Sequence, residues 1–301
     1  MDSMIDYSPD LMGRTAVITG ATSGIGLAAA ILFSLHGARI IGIGRDPQRA
    51  EDARRIIKES PDARIDFFLA DLSSQNQIHH LVEEIGQFFQ ENNINCLDIL
   101  VNNAGTYSQH KILTEDGIEK TYATNHLAPF LLTQKLLPWL EKSPSGRVIT
   151  VSSDSHYGMT IDPDDIANPR WYIGILAYAK SKLANILFTS EFNRRYGHTN
   201  VHAYALDPGL VKTNIAFKDQ PAFSRLVWKI RRSAGDPPEK PARTILFLAS
   251  EPSIQTSPEN YWCNSKPKRC SQQAARSDLA RMLWESSVQL CEGNSAVREI
   301  E

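Results

Sequence analysis

Short apolar runs alternate along the chain with longer segments whose apolar residues recur every three or four positions. The short runs, which predict buried β-strands, are residues 14–19, 38–43, 65–70, 97–101, 147–152 and 201–206. The longer segments, which predict helices, are residues 25–36, 47–59, 78–89, 115–140 and 173–196. Because apolar strands that alternate with helices form parallel sheets covered on both faces, the pattern predicts an α/β fold with a doubly wound parallel sheet.

No repeat, low-complexity tract or linker interrupts this pattern, so the 301 residues are predicted to form a single domain. Prolines become frequent after Pro208, and the predicted helices there are shorter. Since ligands of open α/β sheets bind beyond the carboxyl ends of the strands, this C-terminal third is expected to face a substrate.

Composition narrows the class of protein. The formal net charge of −2 gives no indication of nucleic-acid binding. No stretch approaches the roughly 18 consecutive apolar residues that a membrane span requires, and residues 1–13 lack the basic and apolar regions of a signal peptide. The four cysteines match no zinc-binding spacing and are interpreted as reduced thiols, and His79 and His80 form no helical ligand pair. We therefore expect a cytoplasmic protein with no transmembrane segment, nucleic-acid partner or metal site.

A glycine-rich turn, T-G-A-T-S-G-I-G at residues 19–26, lies between the first predicted strand and the first predicted helix. Glycines permit a tight turn and let the backbone approach a pyrophosphate, while the helix N-terminus presents N–H groups to the anion. A glycine-rich turn can also be purely structural. Its position after a strand and before a helix is the context that favours dinucleotide binding.

The end of the second predicted strand, G-I-G-R at residues 42–45, distinguishes between the two nicotinamide cofactors. Sites for NAD place an acidic side chain there for the ribose hydroxyl, whereas an arginine suits the 2′-phosphate of NADP in charge and geometry. Arg45 occupies this position, so NADP(H) is predicted. Two alternatives stay open: Arg45 could be a solvated surface residue, and the adjacent Asp46 could serve an NAD ribose.

Tyr178 and Lys182 form a Y-x-x-x-K motif on a predicted helix, where residues four apart lie on one face. Carbonyl reduction by hydride needs a proton donor beside the carbonyl oxygen, and alcohol oxidation needs the reverse. The ordinary pKa of tyrosine, about 10, is too high for this role near neutrality. A nearby lysine cation is expected to stabilise the phenolate and lower the pKa. The same spacing also occurs by chance on half-exposed helices.

Three further motifs follow predicted strands: N-N-A-G at 102–105, S-S at 152–153 and D-P-G-L-V-K-T at 207–213. With the T-G-x-x-x-G-x-G turn and Y-x-x-x-K, they stand in the order found in the classical short-chain dehydrogenase/reductase family. The chain resembles that family over about residues 14–285. Ser153 precedes Tyr178 by 25 positions, and A-Y-A-K-S-K-L-A-N-I-L-F at 177–188 also resembles the retinol-dehydrogenase-like subgroup.

The resemblance implies further roles. A serine of the family hydrogen-bonds the substrate oxygen, and we favour Ser153 over Ser152 for this role. An asparagine holds a water that relays protons from the lysine; Asn125 matches it, although a polar residue before Pro129 could instead cap a kink. Asp71 matches the acid on the adenine side of the cofactor, with a helix cap as the alternative.

The catalytic residues that the resemblance implies are Asn125, Ser153, Tyr178 and Lys182. The implied cofactor contacts are Gly20, Ser23, Gly24, Ile25, Gly26, Arg45, Asp71, Leu72, Asn103, Ala104, Gly105, Tyr178, Lys182, Pro208, Gly209, Val211 and Thr213. The Val211 backbone and the Thr213 hydroxyl would hold the nicotinamide carboxamide. The family fold is one Rossmann-type domain, here residues 1–301, with a cofactor half (about 14–150) and a catalytic and substrate part (about 151–290).

The segment F-S-R-L-V-W-K-I-R-R at 223–232 is apolar and basic, and in the family this region forms a mobile substrate lid. Its apolar residues and Phe217 suggest a hydrophobic substrate. A basic amphipathic segment could instead rest on an anionic membrane.

The resemblance thus implies an NADP(H)-dependent oxidoreductase that transfers hydride between nicotinamide and a small carbonyl or alcohol compound. A homo-oligomer is compatible with the family. A sugar-nucleotide epimerase or dehydratase would show T-G-x-x-G-x-x-G and a larger C-terminal domain, and the chain has neither. The remaining alternative is an inactive NADP-binding scaffold or sensor, against which the intact Ser153, Tyr178 and Lys182 argue.

Overall fold

The computed structural model describes residues 10–60, 62–211, 235–255 and 257–296. Its strands are β1 (Thr15–Thr19), β2 (Arg39–Gly44), β3 (Arg64–Leu69), β4 (Ile99–Asn102), β5 (Gly146–Val151), β6 (Val201–Leu206), β7 (Tyr261–Cys263) and β8 (Lys266–Pro267). Its helices are α1 (Gly24–Leu35), α2 (Pro47–Ile57), α3 (Gln75–Glu91), α4 (Lys120–Tyr122), α5 (Ala128–Leu140), α6 (Gly174–Tyr196), α7 (Glu239–Ser250) and α8 (Ser277–Ala296). A π-helical turn, Ala123–Leu127, joins α4 to α5.

The described strands form one sheet in the order β3-β2-β1-β4-β5-β6-β7-β8. Neighbouring strands are parallel throughout, except that β8 runs antiparallel to β7. The strand order reverses at β1, which has β2 on one side and β4 on the other, and such a reversal opens a ligand crevice at the carboxyl ends. The predicted doubly wound α/β fold is confirmed.

Alternate residues of β1 show how the sheet separates two cores. Ala16 and Ile18 pack into one core together with Phe33 of α1 and Leu246 of α7. Val17 points to the opposite core, which contains residues of α3, α5, α6 and α8. Because successive side chains of a strand face opposite sides, a strand that is buried along its whole length, such as β1, is expected when helices cover both faces.

The six predicted strands and five predicted helices are all present, while β7 and β8 were not predicted from the sequence. The predicted helix at 115–140 begins later and contains the π-helical turn. The predicted lid at 223–232, with Phe217, lies outside the described residues. Among the residues that are described, no helix combines the length and apolar character needed to cross a bilayer.

Candidate active site

The glycine-rich turn leaves no room for larger side chains where it meets α1. A Cβ at Gly26 would lie 2.3 Å from the Gly20 carbonyl oxygen, and Gly20 has φ +67°. Gly24, the first residue of α1, also has a positive φ of +55°. Ser23 is the N-cap residue of α1, but its side chain makes no capping bond, and Ile25 is buried. This close-packed turn at a helix N-terminus fits a pyrophosphate.

The N-N-A-G segment lies directly against this turn. The Thr19 hydroxyl oxygen accepts hydrogen bonds from the backbone N–H groups of Asn103 and Ala104, both at 2.9 Å. The Asn103 amide donates to the Thr19 carbonyl oxygen at 2.8 Å. The segment that ends with Gly105 is therefore fixed to the end of β1, as expected for residues that line one cofactor crevice.

Arg45 and Asp46 follow β2, and their side chains have different surroundings. The side chain of Asp46 caps α2 by accepting a hydrogen bond from the Arg49 backbone N–H at 3.1 Å. Arg45 is exposed beyond the end of the strand, and its charge helps to lower the pKa of the Asp71 carboxyl. The guanidinium of Arg45 therefore shares this edge of the crevice with Asp71, while the Asp46 carboxylate is already engaged.

Asp71 does not cap the next helix, because Ser74 does so by accepting from the Gln77 N–H. The Asp71 carboxylate accepts hydrogen bonds from the Ser73 N–H at 2.9 Å and the Ser73 hydroxyl at 2.8 Å. Burial raises the pKa of Asp71, but these bonds and the nearby charges of Lys120 and Arg45 outweigh burial, so the pKa is below its usual value. The adjacent Leu72 is buried.

Ser153, Tyr178 and Lys182 meet beyond the carboxyl end of β5. The Ser153 side chain is close to the Tyr178 hydroxyl and favours its ionised form. The ammonium of Lys182 lies 5.4 Å from the centroid of the Tyr178 ring and donates to the Val151 carbonyl oxygen at 3.0 Å. Ser152 points the other way, since its hydroxyl donates to the Lys182 carbonyl oxygen at 2.7 Å. The structure thus brings together the three residues that the sequence placed in one site.

The pKa of Tyr178 differs from the prediction. The Tyr178 side chain is partly exposed, but its hydroxyl is in buried surroundings, which raise the pKa to about 12. The negative charge of Asp207 adds to this rise in pKa, and the nearby Ser153 side chain opposes it. Burial lowers the pKa of Lys182 to about 8. The prediction that Lys182 lowers the pKa of Tyr178 is therefore wrong. Burial of the hydroxyl has the largest effect, and it raises the pKa.

Asn125 lies in the π-helical turn and is almost fully buried. Its side-chain oxygen accepts from the Thr106 N–H at 2.7 Å, and its amide donates to the Thr106 carbonyl oxygen and to the Ser181 hydroxyl, both at 3.0 Å. Ser181 in turn donates to the Tyr178 carbonyl oxygen. The kink considered before Pro129 is present as this π-helical turn. The turn places Asn125 between the loop after β4 and the helix that carries Tyr178.

The turn after β6 begins with Asp207, whose carboxylate accepts a hydrogen bond from the Gly209 N–H at 3.0 Å. Gly209 has φ +69°, a conformation that suits glycine after Pro208. Val211 forms an isolated parallel bridge with Asp236. Thr213, the last residue of the predicted carboxamide site, lies outside the described residues.

Sequence reasoning missed the residues that enter this site from the C-terminal segment. The Lys268 ammonium lies 2.5 Å from the Asp154 carboxylate and 2.7 Å from that of Asp207. His156 contacts the Ser153 carbonyl oxygen at 2.7 Å through Nδ1, and its Nε2 accepts from the Ser271 N–H at 3.1 Å. Asp207 was visible in the motif at 207–213, but nothing local in the sequence marks Lys268 as its partner.

Comparison with known proteins supports the same interpretation. The sequence model of the family described as short chain dehydrogenase matches residues 14–222. Retinol dehydrogenase 14 from Homo sapiens is 35% identical over 300 residues, which cover 93% of this chain and 87% of that protein. Short-chain dehydrogenase TIC 32 A, chloroplastic, from Brassica napus is 34% identical over 304 residues, covering 95% and 91% of the two chains.

The solved structures agree. A crystal structure of an uncharacterized protein from Mycobacterium paratuberculosis aligns with a TM-score of 0.71 at 30% identity, covering 94% of this chain and 95% of that one. The family and the oxidoreductase names of its relatives indicate hydride transfer between alcohol and carbonyl groups. The chain belongs to the short-chain dehydrogenase/reductase family, and within it to the retinol-dehydrogenase-like subgroup.

Proposed function

We propose that this protein is an NADP(H)-dependent oxidoreductase that interconverts hydrophobic ketones or aldehydes and their alcohols. The observation that carries the proposal is the Lys182 ammonium 5.4 Å from the Tyr178 ring, with the Ser153 side chain close to the Tyr178 hydroxyl. When bound, the nicotinamide supplies or accepts the hydride. The chain's own residues supply the proton and hold the carbonyl oxygen.

Proton transfer would take place at the Tyr178 hydroxyl. A substrate oxygen that accepts hydrogen bonds from both Tyr178 and Ser153 would receive the phenolic proton as hydride reaches the carbon. Because the Tyr178 pKa is about 12, the phenol keeps its proton at neutral pH, so the form that can protonate a carbonyl oxygen predominates there. Lys182, with a pKa of about 8, is still mostly protonated at pH 7 and would line the cofactor together with Tyr178.

The rest of the cofactor would lie along the carboxyl ends of β1, β2 and β4. The turn at 20–26 would cradle the pyrophosphate, Asp71 and Leu72 would contact the adenine side, and residues 103–105 and 208–213 would line the nicotinamide side. Asn125 would complete a proton path behind Lys182. These roles are those of the matching family residues, and the positions of the described residues, 20–26, 71–72, 103–105 and 208–211, support them.

The choice of NADP(H) depends on the two residues after β2. Arg45 is exposed and available to a 2′-phosphate, whereas the Asp46 carboxylate, the alternative ligand for an NAD ribose, accepts the capping bond of α2. A guanidinium binds phosphate through two parallel hydrogen bonds, so the match is geometric as well as electrostatic.

A hydrophobic substrate is supported by apolar residues near the catalytic helix. Trp171 is 93% exposed and Ile173 59% exposed, just before α6, and Leu210 is 42% exposed in the turn after β6. The segment before α6 is held in place, since the Tyr172 hydroxyl donates to the Ser108 carbonyl oxygen at 2.8 Å. Apolar groups exposed on an anchored segment are suited to contact an apolar ligand.

We place the enzyme in the cytoplasm, as the sequence predicts.

The test is NADPH oxidation with a panel of ketones and aldehydes of increasing apolar size, together with NADP⁺ reduction by the matching alcohols. The Tyr178→Phe variant is the control, because it removes the proton donor but leaves the ring that packs in the site. We expect turnover by the unmodified enzyme and a loss of orders of magnitude in the variant. NADPH binding without turnover of any compound would instead favour the inactive scaffold.

A further inference from the structure

The residues just after β8 cross back over the carboxyl end of the sheet. Lys268 is fixed there by its own backbone, since its N–H donates to the Tyr261 carbonyl oxygen at 2.8 Å. Its ammonium lies 2.5 Å from the Asp154 carboxylate and 2.7 Å from the Asp207 carboxylate. We call Asp154, Asp207 and Lys268 the charge clamp. It connects two loops that come from different strands, β5 and β6.

The two carboxylates of the clamp differ in exposure. The Asp154 side chain is 55% exposed, whereas that of Asp207 is only 2% exposed. A buried carboxylate is costly unless a cation and hydrogen-bond donors surround it. Asp207 has both, because one oxygen accepts from the Gly209 N–H and the other binds Lys268. Lys268 therefore compensates a charge that the interior would otherwise disfavour.

The clamp is adjacent to the catalytic groups. Asp154 directly follows Ser153, and Asp207 begins the turn at 207–211. The charge of Asp207 reaches the Tyr178 hydroxyl and raises its pKa. Any change in how Asp207 is neutralised should therefore alter the proton affinity of Tyr178.

We propose that Lys268 is a positioning residue of the oxidoreductase site, which holds the loops that carry Ser153 and Asp207 beside Tyr178 and balances the buried charge of Asp207. The proposal rests on the proposed function, since it concerns the proton donor of that reaction. Lys268 acts through Asp207 and Asp154 and contacts neither the substrate nor the cofactor in this role.

Other ionisable groups also face this region and stay unchanged in the test. They are His156 and Tyr157 beyond β5, Tyr261 and Cys263 on β7, Lys182 on α6 and Tyr107 after β4. The charge of Lys268 also acts on His156, Tyr157 and Cys263, so the double variant below, which keeps the net charge of the unmodified enzyme, is needed to isolate the effect of Asp207.

The first experiment compares Lys268→Met with Lys266→Met in the full-length enzyme. Lys266 is an exposed lysine of β8 in the same segment and serves as the matched control. The measurement is the pH profile of kcat/KM for alcohol oxidation, which requires the phenolate. With Asp207 uncompensated, we expect the rise of the profile to move up by about one pH unit in Lys268→Met. At pH 7 this corresponds to a loss of about tenfold, and Lys268→Arg should restore the profile.

The double variant Asp207→Asn/Lys268→Met separates the effect of the Asp207 charge from the effect of losing the Lys268 side chain. It lacks both the buried carboxylate and its cation, so it should fold even if Lys268→Met does not. Its profile should return close to that of the unmodified enzyme. The proposal is overturned if Lys268→Met has the same profile as Lys266→Met, or if the double variant keeps the full alkaline shift.

A stability measurement distinguishes failure of this inference from failure of the proposed function. If the unmodified enzyme turns over no carbonyl or alcohol compound, the proposed function fails, and the clamp is tested by thermal unfolding alone. The clamp holds the pKa of Asp207 below its usual value, so its stabilising effect is present at pH 7 and is lost as the pH falls through that lowered pKa. We therefore expect Lys268→Met to lower Tm relative to Lys266→Met at pH 7, with the difference shrinking towards pH 3. Equal Tm values at pH 7 would rule out the clamp.

Discussion

In the glycine-rich turn, the interacting atoms belong to residues only a few positions apart: a Cβ at Gly26 would come within 2.3 Å of the Gly20 carbonyl oxygen. Around Tyr178 the contacts join distant parts of the chain. Lys268 binds Asp207 across 61 positions, and His156 accepts a hydrogen bond from the Ser271 N–H across 115. The glycine-rich turn thus takes its own shape from local backbone geometry, although Asn103 packs against it from 84 positions away, whereas the surroundings of Tyr178 are assembled by packing. Local geometry can be inferred from spacing, but the environment of a packed site cannot.

The neighbouring serines after β5 give the sharpest test of this difference, because spacing alone cannot separate them. Ser153 faces Tyr178, and Ser152 donates into the backbone of α6. We expect Ser153→Ala to lower kcat by about 10²- to 10³-fold, the cost of losing one donor to the reacting oxygen. Ser152→Ala should cost about 1 kcal/mol of unfolding free energy and leave kcat largely unchanged.

Steady-state kinetics and denaturant unfolding of both variants measure the two effects. If Ser152→Ala loses as much kcat as Ser153→Ala, the assignment of the two side chains is wrong. Retained NADPH affinity in both variants serves as the control, since neither hydroxyl is placed at the cofactor.

His126 gives a second test of how packing between distant segments changes a side chain, this time through the pH dependence of stability. It is almost fully buried, stacks on Tyr122 at 5.1 Å between ring centroids, and its Nε2 lies 3.0 Å from the Ser287 hydroxyl of α8. Burial lowers the pKa of His126 from 6.5 to about 4, so it is neutral in the folded protein. Between pH 6.5 and 4 the unfolded chain binds the proton first, so stability falls as the pH falls. The full effect is about 3 kcal/mol.

The measurement is the unfolding free energy between pH 7 and pH 4 for the unmodified protein and for His126→Gln. The variant should lose less stability on acidification, because it no longer carries the titrating group. His80→Gln, at an exposed histidine, is the control and should follow the unmodified protein. A parallel decline in all three proteins would show that His126 is not the group responsible.

Much of the fold and of the site could be predicted because it depends on short-range patterns. The runs of apolar residues gave the six strands of the parallel sheet, and the spacing of Tyr178 and Lys182 placed both on one helix. The strands β7 and β8 were missed because they are only three and two residues long. The pKa of Tyr178 was predicted in the wrong direction, because burial and the charge of Asp207 arise only when distant segments pack together.

Arg45 tests a role that was inferred from local sequence alone, namely its position after β2. If the residue after β2 selects the cofactor, Arg45→Asp should place an anion against the 2′-phosphate and weaken NADPH relative to NADH. A charge-assisted hydrogen bond of this kind contributes about 1.5–3 kcal/mol, or about 10- to 150-fold in affinity. Fluorescence titration with both nucleotides measures the ratio. Equal use of NADH and NADPH by the unmodified enzyme would contradict the assignment.

Asp46 gives the smallest expected effect and completes that test, because it adjoins Arg45 but has a different function. Its carboxylate accepts the capping bond from the Arg49 N–H at 3.1 Å, so its removal should destabilise α2. Replacing an N-cap aspartate by alanine costs about 1 kcal/mol of unfolding free energy, and Asp46→Ala should show this loss. The ratio of NADPH to NADH affinity should stay as in the unmodified enzyme, because the carboxylate is engaged with the helix. A selective loss of NADH binding in Asp46→Ala would instead make Asp46 a ribose ligand and remove the basis for choosing NADP(H) at this edge of the sheet.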